Sequence, residues 1–452
     1  MVLKGVEKRD MAKMPNKKLS AVLFGIVVFT TLSLTGCTGA QGAQPATTQT
    51  PSPTQQGLPD WAVTMAAPPG GPMYAGIAGT QQGCYDILQR ADGTADLMYY
   101  DYATMQKVYL SSSPNLGHDP ASTAYLEDYS GGVGVVTAGP YLYVMKNGSY
   151  TMVNATGDET MIPYYLRMNL DGSQRKKFII PPQYELDPNG NIATDGKDLF
   201  FKVDVVNREL RTEHTELAKM EFDAQKLTPF YVEEEGVGVD IVGTCSKGLI
   251  LERRRQNGTT KETQLLLYNP ALSEPMQLTE WQSKTTSEAY ANDCIYYLQQ
   301  GSEALYARDI LAGSVQTVAQ NVNCNGVKVK SAAIVGAVYD NHILISLEDE
   351  QAEKSYVTVD LDTGAVQQMT LFSDENDMHK PVRIYSEFAD GFMVYLGETG
   401  VPATDHAPDG TPYETTLWTH HFVRISKQDY WANRPNYLEF DDLVLKDYLR
   451  NG

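Results

Sequence analysis

The sequence predicts an all-β chain folded as a single β-propeller of four-stranded blades, with seven as the best blade count. Three observations lead there. Strand–turn–strand units recur along the chain, among them YYLRMNLDGSQRKKFII at 164–180, LLLYNPALSEPMQL at 265–278, LYARDILAGSVQTV at 305–318 and YVTVDLDTGAVQQM at 356–369. Each is preceded by a turn and a strongly apolar strand, as in TAGPYLYV at 137–144, TDGKDLFF at 194–201, ANDCIYYL at 291–298 and YDNHILIS at 339–346. Tyrosine is abundant, with 28 in 452 residues, and aromatic and β-branched residues fit a pleated, half-buried surface.

The chain opens with a leader rather than with the fold. Lys13, Lys17 and Lys18 precede the apolar run Leu19–Leu34, the physical form of a secretory signal. That run is shorter than the roughly 20 apolar residues a bilayer core requires of a spanning helix. Met11 or Met14 would give a more usual leader length than Met1. The run ends in Leu34-Thr35-Gly36-Cys37, which resembles the lipobox of bacterial lipoproteins. The resemblance implies cleavage before Cys37 and acylation of that cysteine, anchoring the protein to the bilayer on the extracytoplasmic face of the cell membrane. Several acyl chains on one residue hold where a single chain would not. Residues 38–59, TGAQGAQPATTQTPSPTQQGLP, carry no charge and no strand pattern and read as a flexible spacer. The expected organisation is thus a signal peptide at 1–36, a lipidated cysteine and tether at 37–60, and a propeller at 61–452.

Within the propeller, each repeat is registered by a polar residue late in its third strand: Asp101, Asn169, Glu221, Asn269, Asp309, Asp360 and Ser426. These lie 68, 52, 48, 40, 51 and 66 residues apart. The shortest spacing is that of a four-stranded blade, and longer ones carry insertions, so six or eight blades remain compatible. The insertions fall between second and third strands, at Asn147–Pro163 and Gly397–Thr416. Asp171-Gly172, Asn292-Asp293 and Asp340-Asn341 supply turn chemistry. An open row of such units would expose both ends, whereas radial closure buries them. Trp61–Met65 or Tyr437–Leu445 could supply the closing strand, and a short helix in Leu443–Arg450 competes for the latter. A pair of sandwiches divided near 235–240 is the alternative, but the repeat crosses that point without a break.

The segment YLRMNLDGSQRKKF at 165–178 resembles a blade of the uncharacterised β-propeller-like domain common in bacterial lipoproteins, itself similar to the YWTD blades of low-density-lipoprotein receptors. Leu166-Arg167-Met168-Asn169-Leu170-Asp171-Gly172 matches closely and VTVDLDTG at 357–364 loosely, while Phe222-Asp223-Ala224 and the 309–313 turn diverge. The resemblance implies fold and a surface location. It carries no catalytic residue.

Chemistry is sparse. A net charge of −20 opposes nucleic-acid binding, which requires a focused positive surface, and Arg253-Arg254-Arg255 reads as a strand or hairpin edge. Among seven histidines there is no HExxH, and His420-His421, adjacent on a strand, point to opposite faces, so no metal and no cofactor is expected. The acidic runs Glu233–Glu235, Glu348–Glu350 and Asp374–Asp377 read as solvated turns. Cys84, Cys245, Cys294 and Cys324 lack paired metal-ligand spacing, and Cys245 with Cys294 is the pair to test for a disulfide. No catalytic residue emerges. The leading reading is a non-catalytic, lipid-anchored binding or scaffold protein that takes an extracellular protein, peptide or glycan through loops at one end of the ring. Tyr150, His406, Tyr413 and Trp418, all in or beside insertions, are the candidate contacts. Two alternatives stay open: a hydrolase or lyase acting on polysaccharide or peptide at the propeller mouth, and a structural or sensory subunit of a membrane complex. Convergent carboxylates at the mouth would favour the enzyme, and an aromatic rim would favour binding.

Overall fold

The computed structural model describes residues 58–67, 78–90, 94–111, 120–127, 133–157, 159–187, 190–207, 212–234, 236–257, 260–282, 286–299, 302–323, 326, 328–373, 380–406 and 411–446. The leader, Cys37, the tether as far as residue 57, Cys324 and Asp374–Asp377 lie outside them.

Seven antiparallel sheets of four principal strands form a seven-bladed propeller. Each blade is a meander running outward from an inner strand. Blade 2 is the simplest case: Val133–Ala138, Tyr141–Lys146, Tyr164–Asn169 and Lys176–Ile179. The inner strands of the others are Ala78–Gly79, Ile192–Thr194, Val237–Cys245, Thr286–Ala291, Val329–Tyr339 and Arg383–Phe388. Inner and second strands meet in tight turns on one face of the ring, the turn face. Connections between second and third strands, and between successive blades, emerge on the other, the loop face. Asn292-Asp293 and Asp340-Asn341 all take positive φ, the backbone of a two-residue turn whose twist matches its flanking strands.

All seven predicted repeat anchors lie where the third strand ends. Asp101, Asn269, Asp309 and Asp360 each accept a backbone N–H two residues on through Oδ1, at 2.8–2.9 Å. The recurring polar residue therefore satisfies donors that the end of the ladder exposes.

The core is divided by seam. One apolar cluster joins blades 2 and 3 through Tyr143, Tyr165, Phe201 and Phe222, and others serve blades 1 and 2, 3 and 4, 4 and 5, 5 and 6, 6 and 7, and 7 and 1. A fully buried side chain of this kind contributes roughly 1.5–3 kcal/mol. Every blade thus depends on both neighbours.

The two ends of the chain part company. The C-terminal segment closes the ring: Leu438–Glu439 completes blade 7, and Asp441–Asp442 then pairs in parallel with Gln106 and Lys107 of blade 1. A helix begins at residue 443, so strand and helix share a segment for which they were rival readings. Trp61–Met65 does not close the ring. Thr64 and Met65 pair with Thr194 and Ala193 on the channel side of blade 3, and Trp61 packs edge-on against Phe200 at 5.2 Å. Lys247 and Asn269, in turns of blade 4, hold the carbonyls of Leu58 and Pro59, so the chain joins the body on the turn face. The reason is apolar burial: Leu58, Trp61 and Val63 fill gaps on both flanks of blade 4, which residues of the C-terminal segment, occupied at blade 1, cannot reach.

The 397–416 insertion is not a loop. It continues the blade 7 hairpin as two long strands, Gly391–His406 and Pro412–Ser426. Cys84, Cys245 and Cys294 are free thiols, so no bond joins Cys245 to Cys294.

Polar groups are buried at the closing seam. Lys107 donates to Thr419 at 2.8 Å and to Asp442 at 3.1 Å, and His420 Nδ1 lies 3.1 Å from Asp86 Oδ2. Burial works against charge on the imidazole, but Asp86 and then Glu398 outweigh it. With Lys107 opposing, the pKa of His420 is still raised above its ordinary value. The imidazolium is therefore favoured by folding, and its contribution is complete below about pH 6.5, the value for a free imidazole, and declines as pH rises through the higher folded-state value. Urea unfolding of the native protein and of His420→Asn across that range should show a stability difference that shrinks as pH rises. A difference independent of pH would contradict the assignment.

Candidate functional site

The inner strands enclose an axial channel of about 740 Å³ to which every blade contributes, for example through Gly79, Thr137, Asn191, Thr244, Glu288 and Ser386. The residues facing it are mostly small or polar because seven strands converge there. Several of them also tie one blade to the next. Thr137 Oγ1 donates to the Gly79 carbonyl at 3.2 Å, Asn191 Nδ2 to the Ile241 carbonyl at 2.8 Å, and Ser287 Oγ accepts from the Ile334 N–H at 2.9 Å. Where no such bond is made, backbone clearance does the same work. A Cβ on Gly79 would stand 1.8 Å from Ser386 Oγ, and one on Gly243 would stand 2.6 Å from the Tyr290 ring.

Two carboxylates line the channel, Glu288 and Glu387. Glu387 accepts from Lys427 at 2.8 Å and from the Asp340 N–H at 3.2 Å. Burial pushes the Tyr290 phenol well above its ordinary pKa, and the nearby Glu288 carboxylate adds to the rise. Tyr339 and Tyr385 complete an aromatic side of the channel, with Tyr339 pushed up to about 12, chiefly by burial. Among the described residues no group of three or more His, Cys, Asp or Glu side chains is placed to hold a metal ion.

Beside Tyr339 and Tyr385 the wall opens into a cleft of about 780 Å³ between blades 6 and 7. Its cause is local. Val335 pairs with Leu344 and Tyr339 with His342, so four steps along the inner strand of blade 6 match two along its neighbour. The surplus bulges outward at Gly336, whose φ of +77° suits a residue without Cβ. The turn-face end of the seam is latched. Trp431 Nε1 donates to Asp340 Oδ2 at 3.0 Å, the Trp431 indole stacks on His342 at 4.2 Å, and Lys427 bridges Asp340 and Glu387 at 3.2 and 2.8 Å. Burial disfavours the Lys427 ammonium, yet Glu387 and Asp340 more than offset that and raise its pKa.

The four candidates from the sequence lie on the insertions of blades 2 and 7, which share the loop face. Tyr150 begins the helix Tyr150–Thr156 and is half-buried, its hydroxyl donating to the Ile180 carbonyl at 2.7 Å. His406, Tyr413 and Trp418 belong to the blade 7 arm, paired with Pro412, Asp405 and Gly400. Trp418 is 61% exposed and lies over Gly400. None of the four lines the channel or the cleft. The residues that do, Glu288, Tyr290, Arg383 and Trp431 among them, escaped sequence reasoning. The signal was present: channel residues fall on the inner strands, whose positions the repeat supplies.

The charged runs are spoken for. Arg253 holds Glu233 through two bonds of 2.6 and 3.1 Å, Arg254 pairs with Asp240 and Glu252, and Arg255 with Glu234. Glu348 and Glu350 pair with Lys330 and Lys328. His420 and His421 turn to different partners, Asp86 and Glu439.

No family model matches the chain, and no characterised protein matches it in sequence. Solved structures share its architecture. TolB from Acinetobacter baumannii is 15% identical, with 76% of this chain and 77% of that one covered and a TM-score of 0.35. The propeller domain of the Trilobed protease from Pyrococcus furiosus is 8% identical, with coverages of 87% and 99% and a TM-score of 0.44. An acylaminoacyl peptidase from Pyrococcus horikoshii is 8% identical, covering 86% of this chain, with a TM-score of 0.46. The match spans about half of that enzyme, 54%.

Lys427→Met should loosen the latch under the cleft, leaving Glu387 and Asp340 without their cation. Charge-assisted hydrogen bonds of this kind are worth about 1.5–3 kcal/mol, so urea unfolding should show a loss of that order, with Trp431 fluorescence shifted to the red. An unchanged unfolding midpoint would count against the latch.

Proposed function

We propose that this protein is a lipid-anchored, non-catalytic binding module of the bacterial cell surface, taking an extracellular protein, peptide or glycan at its axial channel and loop face. The observation that carries this reading is the channel's chemistry. Its lining combines small residues and hydroxyls, with Asn191 among them, and the aromatic rings of Tyr290, Tyr339 and Tyr385, a surface suited to recognition. Of its two carboxylates, Glu387 is held by Lys427, and Glu288 lies close to the Tyr290 phenol, whose pKa it raises. A general acid–base pair would instead need carboxylates directed at a substrate. The loop face adds the exposed Trp418 on a rigid arm, and loops on a stable scaffold can vary without disturbing the core.

The anchoring part rests on the leader and the Leu34–Cys37 motif. Attachment of the chain on the turn face agrees with it, since that leaves the loop face turned away from the lipid. A tether of this length has a span of about 25 Å, enough to clear a surface without crowding it.

Two measurements test the proposal. Cys37→Ser should move the protein from the membrane fraction to the medium or leave it unprocessed, and should abolish labelling by a palmitate analogue. Retained labelling and fractionation would end the anchoring claim. The protein should bind one class of cell-wall glycan or peptide saturably without converting it. Turnover that disappears in Glu288→Gln or Glu387→Gln would replace this reading with the hydrolase or lyase.

A further inference from the structure

The cleft between blades 6 and 7 differs in charge from the rest of the molecule. The chain has 56 acidic residues against 36 lysines and arginines, yet the described residues lining the cleft include Lys354, Lys380 and Arg383 and no acid. Neither Lys354 nor Arg383 has a carboxylate partner among the described residues, and the Arg383 guanidinium lies over the Tyr385 ring at 4.7 Å. The cations are not scattered. Lys354 opens the third strand of blade 6, and Lys380 and Arg383 lie at the start of the inner strand of blade 7, so all three stand at the loop-face mouth. The opposite end is aromatic: Tyr339, His342, Tyr430 and Trp431. Those rings are fixed, the Tyr430 hydroxyl donating to the Val382 carbonyl at 2.7 Å and the His342 Nδ1–H to the Asp340 carbonyl at 2.6 Å. The nearby acids of the latch, Asp340 and Glu387, are neutralised by Lys427, and Asp360 lies 3.9 Å from His342 Nε2 on the far side of the ring stack.

We propose that this cleft is a binding site for a small organic anion, one or two planar apolar rings bearing a carboxylate or phosphate, held with its rings on the aromatic floor and its charge at Lys354 and Arg383. The volume falls within the range of small-molecule sites, about 300–1,000 Å³. A rigid aromatic floor with donors at one end favours a planar body with a charge at its edge. The cleft meets the channel at Gly336, Ala337, Tyr339 and Tyr385, so an occupant would sit next to anything bound on the axis. This site stands apart from the proposed channel ligand, and either can fail without the other.

The test uses the full chain in nanodiscs of zwitterionic lipid, with Trp431 fluorescence as the signal and Trp431→Phe as its control. The probes are 1-naphthoate, 1-naphthyl phosphate, 1-naphthylmethylammonium and acetate. One or both naphthyl anions should quench Trp431 saturably, and the cation and acetate should not; which anion binds more tightly identifies the acidic group. Lys354→Gln with Arg383→Gln should weaken binding at least about tenfold, the loss of one charge-assisted contact, with the thermal midpoint unchanged because both side chains are exposed. Ala333→Trp, which fills the cleft from an exposed position, should abolish it. Equal responses to anion and cation, no saturable quenching, or full affinity in either variant would overturn the proposal.

Discussion

Everything in this molecule depends on seven inner strands approaching one axis closely enough to bury seven separate seams. Seven apolar clusters each draw from two neighbouring blades, while an eighth packs Val444 onto Leu88 and Met98 of blade 1, and the ring is stable because the last seam is made as well as the first. Approach is limited by what stands on the inner strands. Gly79 and Gly243 are clearances at their seams, and Thr137, Asn191 and Ser287 convert proximity into hydrogen bonds between blades. The same crowding makes the channel wall small and polar, so the architecture and the character of the site have one origin.

The seams are not equal. Between blades 7 and 1, where the chain must join itself, polar groups are buried and paired: Lys107 with Thr419 and Asp442, His420 with Asp86, and Arg424 with the Tyr102 carbonyl at 2.6 Å. Paired polar groups of this kind specify a register as well as adding stability. Between blades 6 and 7 the inner strand bulges at Gly336, and the seam is held by the apolar cluster around Phe392 and by the latch at its turn-face end. The cleft between these blades is thus found one seam away from the closure that secures the ring. Irregular backbone beside a regular scaffold is where ligand sites commonly arise.

The repeats were legible because local chemistry repeats with them. Asp101, Asn269, Asp309 and Asp360 mark the ends of third strands by capping the turn that follows, a requirement each blade meets separately. Asn292-Asp293 and Asp340-Asn341 were readable for the same reason. What could not be read is long-range. Nothing near Trp61 says that its indole will pack on Phe200, about 140 residues away, and a strand at either end of the chain could have closed the ring. The blade 7 insertion is legible in position but not in form, because glycine, proline and aspartate between 397 and 410 are turn formers and cross-strand pairing overrides them. The site was the least legible part. Arg383 and Trp431 belong to blade 7 and Lys354 to blade 6, and the cleft they share opens beside the bulge at Gly336, a matter of register rather than composition.

The N-terminal strand on the wall of blade 3 has a mechanical consequence. A force applied to the chain upstream of Leu58 meets blade 4 first, where Lys247 and Asn269 hold the Leu58 and Pro59 carbonyls, and then the strand Thr64–Met65, antiparallel to its partner. Its bonds to Ala193, Thr194 and Ile192 are then loaded together in shear, rather than peeled one after another. Tension would reach blades 3 and 4 before any other part of the body, and the closing seam, nearly half a turn of the ring away, would be the last to feel it.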